Sequence, residues 1–166
     1  MSDKKVLAGR NEVLEGLPEH PAVRAVVTWN PDVLTDARFE RGELTLTVAA
    51  EHLQSAAHTL QKAGYNFFED MTAVDWFPSS PRFQLSYHLL SIARKERVRL
   101  CVRLDGNDPA IDSITCLWRG ADFYEREVFD LFGIRFEGHP NLRRILMPDD
   151  WKGHPLRKDY PVEGYR

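Results

Sequence analysis

Cysteine is nearly absent. The chain has two, Cys101 and Cys116, with no Cys-x-x-Cys and no histidine at ligand spacing beside them. Neither an iron–sulfur cluster nor a structural zinc can be assembled from that set, and the pair reads as buried, reduced thiols in apolar surroundings. No apolar run approaches the roughly 20 residues of a membrane span, so the chain itself is not expected in lipid. The start, Met1 to Lys5, leads into no signal-type apolar core, and no acid-free, Arg- and Ser-rich segment resembles a transit peptide; a cytoplasmic location follows as the expectation. The formal charge of -3 is too small to imply nucleic acid or an anionic membrane as partner.

What is present is an ordinary globular composition, 43% hydrophobic and 28% charged, in 166 residues, enough for one domain with a proper core. Val6, Leu7, Val13, Leu14 and Leu17 recur at helical spacing and predict an N-terminal amphipathic helix. Val23 to Trp29 is rich in β-formers and ends at Asn30-Pro31, which reads as a strand. Leu44, Leu46 and Val48 alternate with polar residues as a half-buried strand, and Leu53, Ala56, Ala57 and Leu60 share one face of a helix closed by Gly64. Phe67 to Trp76 is aromatic and apolar, and Pro78-Ser-Ser-Pro81 turns the chain.

The clearest hairpin follows. Phe83, Leu85, Tyr87 and Leu89 alternate with Gln84, Ser86 and His88, and Val98, Leu100, Val102 and Leu104 with Arg97, Arg99, Cys101 and Arg103, across an Arg94-Lys95 turn. The row of arginines on a sheet also suits an RNA-recognition domain, but such domains stack bases on exposed strand aromatics, which here fall on the apolar side. The row reads as a solvated sheet face or a surface for an acidic partner. Asp105 to Pro109 is a turn, and Ile111 to Trp118 is a connector without a clear period.

The segment from Asp122 to Ile134 is a short helix with both ends written in. Asp122 and Glu125 read as an N-cap with its capping-box partner, and Gly133 with Ile134 as a left-handed C-cap. Tyr124, Val128, Leu131 and Phe132 form the buried stripe, leaving Glu125, Arg126, Glu127 and Asp130 to line the rest. Asp130 lies in the last turn, where the helix dipole disfavours an anion, and Arg126 offsets this in the weaker orientation. Such a residue is either part of a solvated face or placed for a partner.

After Gly133 the character changes. Residues 137–166 hold four of the ten prolines and carry six basic against five acidic residues. That excludes a long helix or a central strand. The apolar anchors Leu142, Ile145, Leu146, Met147, Trp151, Leu156 and Tyr160 are too many for a plain linker. Fully extended, the segment reaches about 100 Å, far beyond a domain of this size. It reads as a tail laid along a partner surface and poorly protected without it. Within it Gly138-His139-Pro140 is echoed by Gly153-His154-Pro155. Two imidazoles with no cysteine and no clustered carboxylates make turns with a following Leu-Arg anchor, rather than a metal site. A free-standing hydrolase or isomerase built on His139 or His154 would need activity in the isolated chain.

The run Glu125-Arg-Glu-Val-Phe-Asp-Leu-Phe-Gly-Ile134, then Phe136-x-Gly-His-Pro-x-Leu-Arg-Arg-Ile-Leu146, closely resembles the motif of the C-subunit family of proton-pumping NADH-quinone oxidoreductase, respiratory complex I. The ending Asp149-Asp-Trp-x-Gly-His-Pro-Leu-Arg-Lys-Asp-Tyr-Pro161 is similar to that family's ending, and Thr72-Ala-Val-Asp75 fits its strand-end pattern. The likeness is dense over the last forty or so residues and looser from Val23 onward. The family usually has Asn-Trp before Glu-Arg-Glu, and this chain has Phe123-Tyr124. No D-subunit sequence follows Arg166, as it does in some members, so a separate polypeptide is expected.

The expected fold class is α+β: a mixed or antiparallel sheet of about four to five strands with helices packed on one face, residues 1–136, and an extended Pro-containing tail, residues 137–166. The resemblance implies a non-catalytic subunit of the peripheral arm, on the cytoplasmic side of the bacterial inner membrane. It also implies no cofactor in this chain, with FMN and iron–sulfur clusters in partner subunits, and packing against the D subunit near the B subunit. Carried over residue by residue, Glu125, Arg126, Glu127, Asp130, His139, Arg143, Arg144, Arg157, Lys158, Asp159 and Tyr160 are assigned to inter-subunit or tail-to-domain contacts. An equivalent subunit of a related complex, a membrane-bound hydrogenase or a quinone oxidoreductase with another donor, would share this docking surface.

Overall fold

The computed structural model of the chain describes residues 17 and 19–164. The expected N-terminal helix lies outside these residues apart from Leu17, which packs on the core. Helix α1, Pro21–Trp29, stands where β-rich composition predicts a strand. Two local signals override propensity there: Pro21 opens the helix, and His20 Nδ1 accepts the Ala22 N–H at 3.3 Å as a cap. Ala22, Val23 and Val26 then share the buried face.

Strands β1, Leu34–Glu40, and β2, Glu43–Val48, form a hairpin whose turn residues Arg41 and Gly42 both have positive φ. A 3-10 turn leads into α2, Leu53–Lys62, which buries Leu53, Ala56, Ala57 and Leu60 as their spacing requires. Strands β3, Phe67–Asp75, β4, Phe83–Ser91, and β5, Glu96–Leu104, follow as a meander. The sheet order is β1-β2-β5-β4-β3, with β2 parallel to β5 and every other pair antiparallel. The crossover through α2 places the helices on the face made by Leu44, Leu46, Phe83, Leu85, Leu89, Leu100 and Val102, and all join one core.

A second, two-stranded sheet pairs β6, Ala110–Asp112, with β7, Arg135–Glu137, in parallel, and helix α3, Ala121–Phe132, runs between them. The Ser113 N–H donates to the Glu137 carbonyl at 2.8 Å and the Arg135 N–H to that of Pro109 at 2.9 Å, so both ends of α3 are tied to one place. Trp118 Nε1 donates to the Asn66 carbonyl at 2.9 Å and the Tyr124 hydroxyl to that of Glu69 at 3.3 Å, which docks α3 on the outer strand β3. Residues 138–164 contain neither helix nor strand and start from β7.

The other face of the sheet is polar. Across it runs an alternating ladder: Glu69 with Arg97 at 2.7 Å, Arg97 with Glu43 at 3.2 Å, Glu43 with Arg99 at 2.7 Å. Arg99 Nε donates to His88 Nε2 at 2.9 Å, which places the imidazole proton on Nδ1, 2.5 Å from Asp70. Arg97 and Arg99 are therefore engaged by the chain's own acids. Cys101 is buried as expected, though beside the Ser86 hydroxyl on this polar face, and Cys116 is exposed where burial was expected.

Candidate interaction site

Helix α3 is entered from turns, not from a side-chain cap. The Trp118 N–H donates to the Ile114 carbonyl at 3.0 Å and the Ala121 N–H to that of Trp118 at 3.0 Å, and Gly120 holds the N-cap position without a side-chain bond. Asp122 consequently sits inside the first turn, and the expected capping box does not form. Its intended partner Glu125 points inward instead, fully buried, accepting the Ser113 hydroxyl at 2.6 Å and the Ile114 N–H at 2.8 Å. Burial pushes its carboxyl up to about 7, the two hydrogen bonds pull it back and nearby Asp122 adds to the rise.

The C-terminal end is as the sequence predicts. Gly133 is left-handed, with φ of 76°, its N–H donates to the Phe129 carbonyl at 2.9 Å, and Ile134 is buried behind it. A Cβ at Gly133 would lie 2.6 Å from His154 Cδ2, and that ring is held by its Nδ1–H bond to the Asp130 carbonyl at 2.8 Å. Gly133→Ala is expected to lower stability by about 1–3 kcal/mol in chemical denaturation, from backbone strain plus displacement of His154. An unchanged midpoint would mean that the ring does not pack there.

Asp130 is fully buried, in contrast to the outward position its spacing suggests. Its Oδ1 accepts Arg144 Nη1 at 2.6 Å, and Oδ2 accepts three successive backbone N–H groups, of Ile145 at 3.0 Å and of Leu146 and Met147 at 2.8 Å each. Burial alone would raise the carboxyl, but these donors, the Met147 N–H and Arg144 foremost, hold it below the usual carboxylate range. The unfavourable place at the helix C-terminus is thereby offset by a nest of amides and a guanidinium.

The tail also supplies the donors that the last turn of any helix lacks. Besides His154 on Asp130, the Leu156 N–H reaches the Leu131 carbonyl at 3.0 Å, and Arg157 Nη1 the Phe132 carbonyl at 3.4 Å. Arg144 spends its other donors on the carbonyls of Trp151 and Gly153, at 3.0 Å each, which closes the loop between them. Arg126 returns the bond, donating to the carbonyls of Arg143 and Arg144 at 3.2 Å each. His139 Nε2 meets the Asp122 carbonyl at 3.3 Å, so the two Gly-His-Pro turns touch opposite ends of α3.

Further on, the Lys158 N–H donates to Asp75 Oδ2 at 2.8 Å, and Asp159 pairs with Arg82 at 2.8 Å and Arg157 at 3.1 Å. Arg82 binds both oxygens of Asp75, at 2.8 and 2.7 Å, and lies over the rings of Phe77 and Phe83, each 4.9 Å away. Burial tends to raise the Asp75 carboxyl, and Arg82 with the amides of Lys158 and Phe77 brings it down to about 2. Arg82 and the pairing role of Asp75 are not legible as site residues; an arginine just after a proline turn, ahead of an apolar strand, is their faint signal. Glu127, Arg143 and the Lys158 side chain are exposed, and the Tyr160 N–H donates to the Arg157 carbonyl at 3.1 Å.

The tail thus has two sides. Leu142 and Met147 pack on the core, whereas Ile145, Leu146, Trp151 and Leu156 face outward, Leu146 61% exposed, with Phe123 of α3 also exposed. Among the described residues no group of three or more His, Cys, Asp or Glu is placed to hold a metal ion, and no helix is long and apolar enough to cross a membrane.

A family model described as the respiratory-chain NADH dehydrogenase 30 kDa subunit matches residues 46–166. The C subunit of NADH-quinone oxidoreductase from Citrifermentans bemidjiense is 51% identical over 134 residues, covering 80% of this chain and 83% of that protein. The C subunit from Geobacter sulfurreducens is 48% identical over 133 residues, covering 79% and 82%. Among solved structures, the trypsin-resistant fragment (1-134) of Nqo5 aligns with a TM-score of 0.60 and 33% identity, over 64% of this chain and 88% of the fragment. A chain of a membrane-bound sulfane sulfur reductase, an archaeal respiratory membrane complex, aligns with a TM-score of 0.74 over 84% of each chain, and at 24% identity it shares the fold.

Proposed function

This chain belongs to the respiratory-chain NADH dehydrogenase 30 kDa subunit family, and we propose that it serves as a non-catalytic subunit of the peripheral arm of a proton-translocating NADH:quinone oxidoreductase. In this reading it lies on the cytoplasmic side of the bacterial inner membrane and touches lipid only through the complex. It packs against the D subunit near the B subunit, and partner subunits carry the flavin and iron–sulfur clusters. One observation carries the docking role: the tail clasps α3 with its polar inner side while turning Ile145, Leu146, Trp151 and Leu156 outward. A strip of aromatic and aliphatic side chains held by buried charges beneath it has the composition of an interface core.

The chain contributes geometry, so assembly and turnover should fall together. Leu146→Asp with Trp151→Asp leaves the inner contacts of the tail untouched, and is expected to lower the amount of assembled complex and NADH-to-quinone activity in parallel. Normal assembly with lost turnover would overturn the scaffold reading. Residues 138–164 contain neither helix nor strand and turn apolar side chains outward, which fits a tail that gains its protection on docking. Amides of residues 138–164 are accordingly expected to exchange faster than those of the sheet in the free chain, and to slow in the complex.

A further inference from the structure

Among the described residues, none places a cation beside the buried Glu125 to balance it. Its contacts are the Ser113 hydroxyl and the Ile114 N–H, both neutral. Facing it from the other elements packed around it are Tyr87 of β4, fully buried with a hydroxyl that has no hydrogen-bond partner among the described residues, and His139, whose side chain is wholly enclosed and whose Nε2 lies 4.0 Å from Oε2. On its own helix stands Asp122, another acid, whose Oδ1 is 3.7 Å from His139 Nε2. Arg126 is turned away to the tail carbonyls and comes within 3.8 Å of Asp122.

His139 cannot supply the missing charge as it stands. The Asn141 N–H donates to its Nδ1 at 3.0 Å, so the ring proton sits on Nε2 and donates to the Asp122 carbonyl. A second proton on Nδ1 would set two N–H groups against each other and open the Gly138–Asn141 turn. The hydroxyl network, by contrast, suits an uncharged acid. Ser113 Oγ accepts the Thr115 N–H at 3.1 Å and lies 2.7 Å from Thr115 Oγ1. It can take the acid proton of Glu125 in a hydrogen bond while its own proton turns to Thr115.

We propose that Glu125 is a proton-binding site, held as the neutral carboxylic acid in the folded chain and exchanging its proton with solvent along the side on which Asp122 lies. Asp122 opens on a surface cleft of about 420 Å³ lined also by Thr115, Cys116, Arg119, Gly138 and Pro140, which is the mouth of this path. On release, a proton leaves the carboxyl for solvent water and a carboxylate remains beside Asp122.

The sign of the linkage is fixed. A carboxyl raised from its ordinary 4.5 to about 7 contributes stability that is fully present below 4.5 and is lost as the pH rises through 7. The test is an NMR titration of the full chain, following the Ile114 amide and the Glu125 side-chain carboxyl. A shared midpoint near 7, absent from the Ile114 amide in Glu125→Gln, is the expected result; a midpoint in the ordinary range of glutamate would overturn the proposal. If the Gln variant does not fold, the two wild-type probes still decide. The contacts lie before residue 142, so the result stands apart from whether the tail docks on a partner.

Discussion

Asp130→Ala is expected to release residues 144–147 from α3 at a cost of about 3–5 kcal/mol to the closed form, the range found when one member of a buried charged network is removed. The size follows from what is left behind. Arg144 and three consecutive amides lose the acceptor they share, a side chain that is itself fully buried. Asp130→Asn is expected to fall between, since one amide oxygen can still accept the backbone donors while its NH2 group faces the guanidinium.

Hydrogen exchange at Ile145, Leu146 and Met147 reads the effect directly, and the level of assembled complex reads its consequence. Because the Asp130 carboxyl is held below its ordinary value, its contribution is complete above the unfolded value of 3.8 and is lost as the pH falls below that. Acid should therefore mimic the alanine variant in the wild type and do little more in the variant itself. Unchanged exchange at the three amides in Asp130→Ala would mean that the tail is held elsewhere, by Arg82 and Asp159.

Single residues show how much of this arrangement the sequence carries. Strands β2, β4 and β5 and helix α2 follow their apolar periods, because each buries one face on the same core and period alone decides which residues point inward. Helix α1 does not follow composition, since a proline and a histidine cap at its start outweigh the β preference of three valines. Asp130 was marked by its place against the helix dipole, a local signal, yet its partners lie 14 to 17 residues later in the chain, beyond the reach of any periodic pattern. Glu125 shows the opposite failure. Its spacing from Asp122 copies a capping box, and only the tertiary turn at 113–118, which enters the helix first, sends the side chain inward. Arg82 and Asp75 left only a faint mark, because a bidentate pair joining a strand end to the next strand start has no sequence period, and Asp159 meets Arg82 from 77 residues away.

That pair carries the second large effect. Arg82→Met is expected to lower the stability of the domain by about 3–5 kcal/mol, since it keeps the apolar bulk between Phe77 and Phe83 but leaves the Asp75 carboxylate buried with only two backbone amides, of Phe77 and Lys158. Arg82→Lys should rescue little, because a point charge cannot hold both oxygens at once. Adding Asp75→Asn to Arg82→Met removes the stranded charge and should recover a large part of the loss; if it recovers nothing, packing and not charge is what Arg82 contributes.

The pH dependence separates the two explanations further. With Asp75 lowered to about 2, the wild-type pair is fully stabilising above 3.8 and weakens as the pH falls toward 2, whereas in Arg82→Met burial raises the carboxyl and acid should relieve the strain. Asp159→Ala completes the comparison. Asp159 is partly exposed and its carboxyl is held low by Arg82 and Arg157, so its loss should cost the domain about 1 kcal/mol or less while freeing residues 157–160 to exchange. A domain destabilised by Arg82→Met but indifferent to Asp159→Ala is one whose core stability and tail docking share an arginine without depending on each other.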